Sequence, residues 1–82
     1  MIEFNIRLNI DSAIIFSKKA SKYEFDIDIL QGRYIINGKS TLGIFSLNIC
    51  KELKVVLHSD EKHANDFIKS IAKYIESEIT IK

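Results

Sequence analysis

Few side chains in this sequence are suited to chemistry, and they form no recognisable catalytic group. The chain has two histidines, His58 and His63, and one cysteine, Cys50. An imidazole can accept a proton or a phosphoryl group, and a thiolate can attack a substrate or bind a metal. The histidines lack a third ligand at a metal-binding spacing, and Cys50 has neither a second cysteine nor a base near it in the sequence. We expect no metal, no cofactor and no catalytic residue, with the histidines as polar residues at element ends and Cys50 as a small buried residue.

Two aspartates are also candidates for a catalytic pair. Asp26 and Asp28 are two residues apart, which places both carboxylates on one face of a strand. Paired acids can serve general acid–base chemistry, but a solvated outer face explains this pattern better. No glycine-rich phosphate loop is present, because the three glycines are scattered along the chain.

Ser40 is the polar residue whose position suggests a role. It follows Asn37-Gly38, a dipeptide typical of turns, and precedes an apolar stretch. Its hydroxyl can accept a hydrogen bond from a free amide in the first turn of a helix, as an N-cap does. We predict a helix from Ser40 to about Cys50.

This predicted helix has more apolar residues than one face can bury. At 100° per residue, Ile44 and Leu47 lie on one side, and Leu42, Phe45 and Ile49 lie nearly opposite. A surface helix usually has one apolar stripe. Either both stripes belong to the core, or one of them is exposed for a partner.

Composition limits the remaining possibilities. The chain has 82 residues, 46% of them hydrophobic and 28% charged, which is typical of one globular domain, residues 1–82. A formal net charge of +1 favours neither nucleic acid nor a membrane surface as partner. One cysteine excludes an intrachain disulfide, and the first residues, Met1-Ile-Glu-Phe-Asn5, alternate like a strand rather than a signal peptide. We expect a cytoplasmic monomer without a membrane-inserted segment.

Hydrophobic periodicity predicts four strands and three helices. Alternation indicates strands near residues 2–8, 23–29, 33–36 and 54–58, with a turn at Gln31-Gly32. Spacings of three and four indicate a first helix from Ala13 to about Lys22, capped by Asp11 or Ser12, and a last helix capped by Ser59 or Asp60. The inward positions of the first helix are predicted to be Ala13, Phe16, Ser17 and Ala20. Those of the last are Ala64, Phe67, Ile68, Ile71, Ala72 and Ile75. The tail, residues 78–82, either frays or forms a short strand.

The order β-α-β-β-α-β-α predicts an α+β fold, a two-layer open-faced sandwich with a four-stranded antiparallel sheet covered by three helices.

Three segments of the chain together resemble a known family. Ala20-Ser-Lys-Tyr23, the Gln31-Gly32 hairpin and Lys39-Ser-Thr-Leu-Gly-Ile-Phe-Ser-Leu-Asn-Ile49 are similar to the HPr family, the histidine phosphocarriers of the bacterial sugar phosphotransferase system. The resemblance covers nearly the whole chain and implies the same sandwich fold. It makes the chain a divergent member, because the family pattern Gly-[Ile/Leu]-His-Ala-Arg-Pro between the first strand and first helix is missing. Here that connection is Asn9-Ile-Asp-Ser12, without histidine, arginine or proline.

The resemblance also implies roles for the second helix. Ser40 matches the position that a dedicated kinase phosphorylates as a regulatory signal in many Gram-positive bacteria. Thr41, Leu42 and Phe45 match the apolar patch with which the family docks its partners, and the residues matching core positions are Ile44 and Leu47. Three positions depart from the family pattern: Thr41 replaces an aliphatic residue, and glycines are replaced by Asn48 and Glu52.

Three hypotheses follow. The first is a non-enzymatic HPr-like domain that docks a protein partner through the second helix and is modified at Ser40, or capped there only. Its partners would be phosphotransferase-system enzymes or a serine kinase. The second is a working phosphocarrier that uses an unconventional residue, His58 or His63. The third is an interaction module with no tie to sugar transport.

Overall fold

A computed structural model describes residues 1–82. The elements in chain order are β1 (Ile2–Ile6), α1 (Ile10–Ala20), β2 (Ile27–Gln31), β3 (Tyr34–Asn37), α2 (Thr41–Phe45), β4 (Leu53–Leu57), α3 (Glu61–Ser70), a single 3₁₀ turn (Ala72–Tyr74) and β5 (Thr80–Ile81). The three helices pack on an antiparallel sheet, so the predicted α+β sandwich is confirmed.

The sheet has five strands rather than the four predicted, in the order β3-β2-β4-β1-β5. The extra strand is the C-terminal tail, which pairs antiparallel with β1 through Ile2 opposite Ile81 and Glu3 opposite Thr80. The Lys82 amide donates to the Met1 carbonyl at 2.8 Å. The tail becomes a strand because β1 offers it a free edge, and this depends on the tertiary structure.

The core lies between one face of the sheet and the helices. In α1 the predicted inward residues Ala13, Phe16, Ser17 and Ala20 are all buried. Three of the four have small side chains, and one of these, Ser17, contacts Thr41 of α2. Phe16 meets Phe67 of α3 edge to face, with ring centroids 5.5 Å apart, a geometry that aromatic pairs prefer.

Two predicted boundaries were wrong for reasons of packing. The second strand begins at Ile27 rather than Tyr23, because Tyr23 and Phe25 pack against Phe67, with ring centroids 5.3 and 6.4 Å from it. The last helix ends at Ser70, and Ala72 in the following turn is exposed rather than inward.

α2 is shorter than predicted, five residues instead of about eleven. It ends at Phe45, where the Ser46 hydroxyl donates to the Gly43 carbonyl at 2.6 Å. The chain beyond is then held by the Gln31 side chain. Its amide donates to the Asn48 carbonyl and accepts from the Asn48 amide, both at 2.8 Å. A side chain from β2 therefore takes the backbone groups that a longer helix would have paired internally.

Candidate functional site

The junction between β1 and α1 is short and closed by its own side chains. Only Arg7, Leu8 and Asn9 connect the two elements. Asn9, and not the predicted Asp11 or Ser12, is the N-cap, because α1 begins at Ile10. The Asn9 side chain accepts from the Ser12 amide at 2.8 Å, and the Ser12 hydroxyl accepts from the Asn9 amide at 2.7 Å, which completes a capping box.

The arginine at this junction is already engaged. Arg7 Nε lies 3.1 and 3.2 Å from the two carboxylate oxygens of Glu76, and Nη1 donates to the Cys50 carbonyl at 3.2 Å. An anion would have to compete with a carboxylate for this guanidinium. The junction has no histidine, and the amide of Ser12 is taken by the Asn9 cap.

Ser40 is the N-cap of α2, as predicted. Its backbone is extended, with φ −100° and ψ 113°, and its hydroxyl oxygen accepts from the Gly43 amide at 3.0 Å. A side chain at position 43 would crowd this arrangement, since a Cβ there would lie 3.2 Å from the Ser40 hydroxyl. No acidic residue lies in the first turn of α2. Ser40 is half-buried, and its hydroxyl makes one hydrogen bond within the cap.

Thr41 connects α2 to α1. The Thr41 hydroxyl lies 2.6 Å from the Ser17 hydroxyl. Ser17 is 1% exposed, and its hydroxyl also lies 3.0 Å from the Ile14 carbonyl oxygen. If Ser17 donates to Ile14, then Thr41 donates to Ser17, and both hydroxyls are satisfied. The threonine at this position therefore holds the two helices together, and its hydroxyl is not free for a partner.

The two apolar sides of α2 have different exposures. Ile44 is fully buried and Leu47 is 8% exposed, whereas Leu42 is 84% exposed and Phe45 is 37% exposed. Exposure agrees with the division expected from the helical projection. The role of Leu42 and Phe45 in docking stays a prediction.

The apolar surface extends onto α1, which the sequence reasoning missed. Ile10 is 65% exposed, and Ile14 is half-buried. Both lie on the side of α1 that also carries Ser17 and Ser21, the two residues whose hydroxyls contact α2 and Lys39. The signal was available, because Ile10 and Ile14 fall outside the predicted inward positions of α1.

A shallow depression adjoins this surface at the start of α1. It is lined by Leu8, Asn9, Ile10, Asp11, Ile49 and Cys50. Cys50 is exposed here, so the prediction of a buried cysteine was wrong. The cause is the early end of α2: in a longer helix, residue 50 would have continued the helical path, but the Gln31 contacts redirect the chain at Asn48.

Both histidines lie near the other end of β1. In the register of β1 and β4, Leu57 is opposite Ile2, while α1 begins beyond Ile6; four residues of strand span about 13 Å. His58 Nε2 lies 2.8 Å from Asp28 Oδ2, and His63 Nδ1 lies 2.7 Å from Asp60 Oδ1. Each histidine is thus paired with one carboxylate, in line with polar residues at element ends.

The pKa values of two carboxyl groups are shifted. The pKa of Asp60 is lowered because its side chain accepts hydrogen bonds from the backbone amide and then from the ring of His63. The pKa of Glu3 is lowered by hydrogen bonds from Lys54 and Lys82, at 2.8 and 3.0 Å. Both effects stabilise the charged carboxylate.

No group of three or more His, Cys, Asp or Glu side chains is arranged to hold a metal ion. None of the helices combines the length and apolar character needed to cross a membrane.

Comparison with known proteins agrees with the fold. A protein-family model described as "PTS HPr component phosphorylation site" matches residues 6–77. Among solved structures, an HPr-C-His protein of Thermoanaerobacter tengcongensis is 24% identical, with a TM-score of 0.72 over 89% of this chain and 92% of that one. The phosphocarrier protein HPr of Bacillus anthracis str. Ames is 22% identical, with a TM-score of 0.69 over 93% and 96%. The histidine-containing phosphocarrier protein of a Mycoplasma is 19% identical, with a TM-score of 0.66 over 89% of each chain.

Proposed function

The chain belongs to the HPr family and is thereby related to the phosphotransferase system, and from this premise we propose that it is a non-enzymatic, cytoplasmic docking domain that does not transfer phosphate. It binds a protein partner through α2 and the adjoining side of α1, and phosphorylation of Ser40 regulates that binding. A phosphotransferase-system enzyme and a serine kinase are the partners that family membership favours.

The observation that carries the proposal is the closed junction between β1 and α1. Transfer of a phosphoryl group needs a nucleophile whose phosphate stays reactive, and a histidine ring supplies this. The junction has only Arg7, Leu8 and Asn9, and a capping box occupies the Ser12 amide in the first turn of α1. Arg7 is held by Glu76. Asp11, in the first turn of α1, would repel an anion.

Exposure supports a docking role for α2. Leu42 is 84% exposed although it lies beside a folded core. Phe45 is 37% exposed, and Ile10 is 65% exposed on the face of α1 whose Ser17 contacts α2. Keeping such residues in water brings no gain in folding stability, whereas their burial against a partner removes apolar area from water at about 25 cal/mol per Å².

A phosphate on Ser40 would change this surface directly. It would add about −1.5 to −2 charge and three acceptor oxygens next to Leu42. The Gly43 amide, now bonded to the hydroxyl, could donate to one of those oxygens. A double negative charge beside an exposed leucine raises the cost of burying that leucine, so the modified protein should lose or exchange its partner.

Phosphate labelling tests the proposal. The protein is incubated with the phosphoenolpyruvate-dependent first enzyme of the phosphotransferase system and, separately, with the serine kinase. We expect no label from the first enzyme and an acid-stable label from the kinase. Ser40→Ala should abolish the kinase label and Ser46→Ala, an exposed serine at the other end of α2, should keep it. Acid-labile phosphate on this protein would show that it does accept a transferable phosphoryl group, and this would overturn the proposal.

Binding to a purified partner tests the surface. Leu42→Asp should weaken binding at least tenfold, since it places a charge at the centre of an apolar contact. Ile79→Asp is the matched control, because Ile79 is 41% exposed and lies in the C-terminal segment. Equal binding by wild type and Leu42→Asp would show that α2 is not the docking face.

One observation favours a second candidate, an unconventional phosphocarrier. His58 is hydrogen-bonded to Asp28 at 2.8 Å, and a carboxylate on one ring nitrogen makes a histidine a better nucleophile. If the first enzyme does label the protein, His58→Ala and His63→Ala should each be tested. Loss of label in only one of them would identify the carrier residue.

A further inference from the structure

The two edges of the sheet are protected to different degrees. β5 has two residues, and its neighbour Lys82 is paired with Glu3 at 3.0 Å. β3 has four residues, Tyr34–Asn37, and none of them is charged. Tyr34 is 64% exposed and Ile35 is 65% exposed. Proteins usually protect an open edge with charges, prolines, bulges or very short strands. β3 is short, but it has no charge, proline or bulge within its four residues.

Some backbone groups of β3 point away from the sheet. The Gly38 amide donates to the Ile27 carbonyl at 2.7 Å, which fixes that pair as a hydrogen-bonded one. Bonded and non-bonded pairs alternate in an antiparallel ladder, so Ile36 and Tyr34 exchange bonds with β2. The amide and carbonyl of Ile35 therefore face outward, as does the amide of Asn37.

We propose that β3 pairs antiparallel with β3 of a second copy of this chain, around a two-fold axis at Ile35. In this register the Ile35 amide of each copy donates to the Ile35 carbonyl of the other. The Asn37 amide of each copy donates to the Arg33 carbonyl of the other. The two sheets then become one continuous sheet.

Side chains in this register suit a second copy. Ile35 is directly opposite Leu30 within one sheet, on the face away from the helices. Pairing would place the two copies of Ile35 side by side and form an apolar row of four residues, two from each copy. Cross-strand pairs of β-branched residues stabilise such ladders.

Charges at the ends of the strand are complementary as well. Arg33 of one copy faces Asn37 of the other, and Asp28 lies immediately beyond Asn37 on β2. An arginine thus approaches an aspartate twice, once at each end, beside the His58 ring that already lies 2.8 Å from Asp28 Oδ2. A two-fold contact makes every favourable contact twice, which an unrelated strand would have to match independently at both ends.

Self-association through this edge should be weak. A four-residue strand covers much less than the roughly 800 Å² per partner that stable complexes bury. The expectation of a monomer therefore applies to dilute protein, and pairing becomes measurable at concentrations of about 1 mM.

Rotational correlation times from ¹⁵N relaxation test the proposal. Wild-type protein is measured from about 0.05 mM to about 1 mM, and we expect the correlation time to rise by about two fifths over that range, as a dissociation constant on the order of 1 mM implies. The amide resonances of Ile35 and Asn37 should shift with concentration. A correlation time that stays constant over the whole range would overturn the proposal.

Two variants and a control assign the contact. Ile35→Lys should keep the correlation time at its dilute value, whereas Ile15→Lys, on an exposed isoleucine of α1, should behave as wild type. Ile35→Pro removes the outward amide and the isoleucine side chain but keeps the bonds of Tyr34 and Ile36 to β2, because proline is tolerated on an edge strand where the amide faces solvent. Ile35→Pro should also abolish association, and it serves as the test of the β3 contact if Ile35→Lys fails to fold. Association by either folded variant at the wild-type level would show that β3 is not the contact.

Discussion

The first turns of α1 and α2 begin in different ways. At the start of α1, Asn9 and Ser12 cap each other's amides, and only three residues separate the helix from β1. At the start of α2, Ser40 makes one bond to the Gly43 amide, with a glycine leaving room around the hydroxyl. The first arrangement takes up the amides of Asn9 and Ser12 within its own cap. The second keeps a hydroxyl beside an exposed leucine, where the proposed modification would act.

Removal of the α1 cap should have the larger effect on stability. Asn9→Ala removes the acceptor of the Ser12 amide at 2.8 Å and breaks a reciprocal pair. We expect the free energy of unfolding to fall by about 1–2 kcal/mol, measured by urea denaturation. Asn65→Ala, on an exposed asparagine of α3, should change it by less than about 0.5 kcal/mol. A result for Asn9→Ala within the range of that control would mean that the junction is not held by its cap.

Removal of the α2 cap should cost less. Ser40→Ala loses one hydrogen bond at the start of a helix of five residues. We expect a fall of about 0.5–1 kcal/mol in the same measurement. A larger loss than for Asn9→Ala would reverse the comparison and make Ser40 primarily a structural residue.

Ser40 and Gly43 should be energetically coupled. Alanine at position 43 gains about 0.5–1 kcal/mol of helix propensity but crowds the Ser40 hydroxyl at 3.2 Å and the Ser40 Cβ at 3.3 Å. We expect Gly43→Ala alone to be nearly neutral, and to stabilise by about 0.5–1 kcal/mol in the Ser40→Gly background, where both atoms are absent. A double-mutant cycle of urea unfolding measures this difference. Additive effects would show that the glycine is not there to make room for the Ser40 side chain.

The start of α3 offers a third case, because its cap can be titrated. The pKa of Asp60 in the folded protein is lowered by the hydrogen bonds from His63. A lowered carboxyl pKa contributes stability above the unfolded pKa, and that contribution is lost as the pH falls through the folded pKa. Asp60→Asn should therefore show a smaller loss of stability than wild type between neutral pH and a pH below the ordinary pKa of an aspartate. The shift in urea midpoint between the two conditions measures it; equal shifts in both proteins would contradict the assignment.

Local patterns were sufficient to predict the α+β sandwich, with four of its five strands. Alternation in β1 and the spacing of Ala13, Phe16, Ser17 and Ala20 report directly which side of each element is buried, because a strand or helix face repeats with a fixed period. The two sides of α2 could be predicted for the same reason. The Ser40 cap could be predicted because a serine after a turn dipeptide and before an apolar stretch is a local signal.

Features that depend on distant residues were not predictable from local patterns. The early end of α2 and the exposure of Cys50 follow from Gln31, which is 17 residues from Asn48. β5 forms only because β1 has a free edge. Tyr23 and Phe25 follow the alternating pattern of a strand, yet their rings pack against Phe67. In each case a tertiary contact overrides the local signal.

The Gln31–Asn48 contact has a consequence for motion. It closes a segment that contains β3 and all of α2, and it is made through one side chain with two hydrogen bonds. Loss of that contact would release the chain that follows α2, whose first turn stays tied to α1 by the Thr41–Ser17 bond, so the amides of Leu47 and Asn48 should exchange faster in a Gln31→Ala variant. A partner held on Leu42 would slow this exchange without touching Gln31.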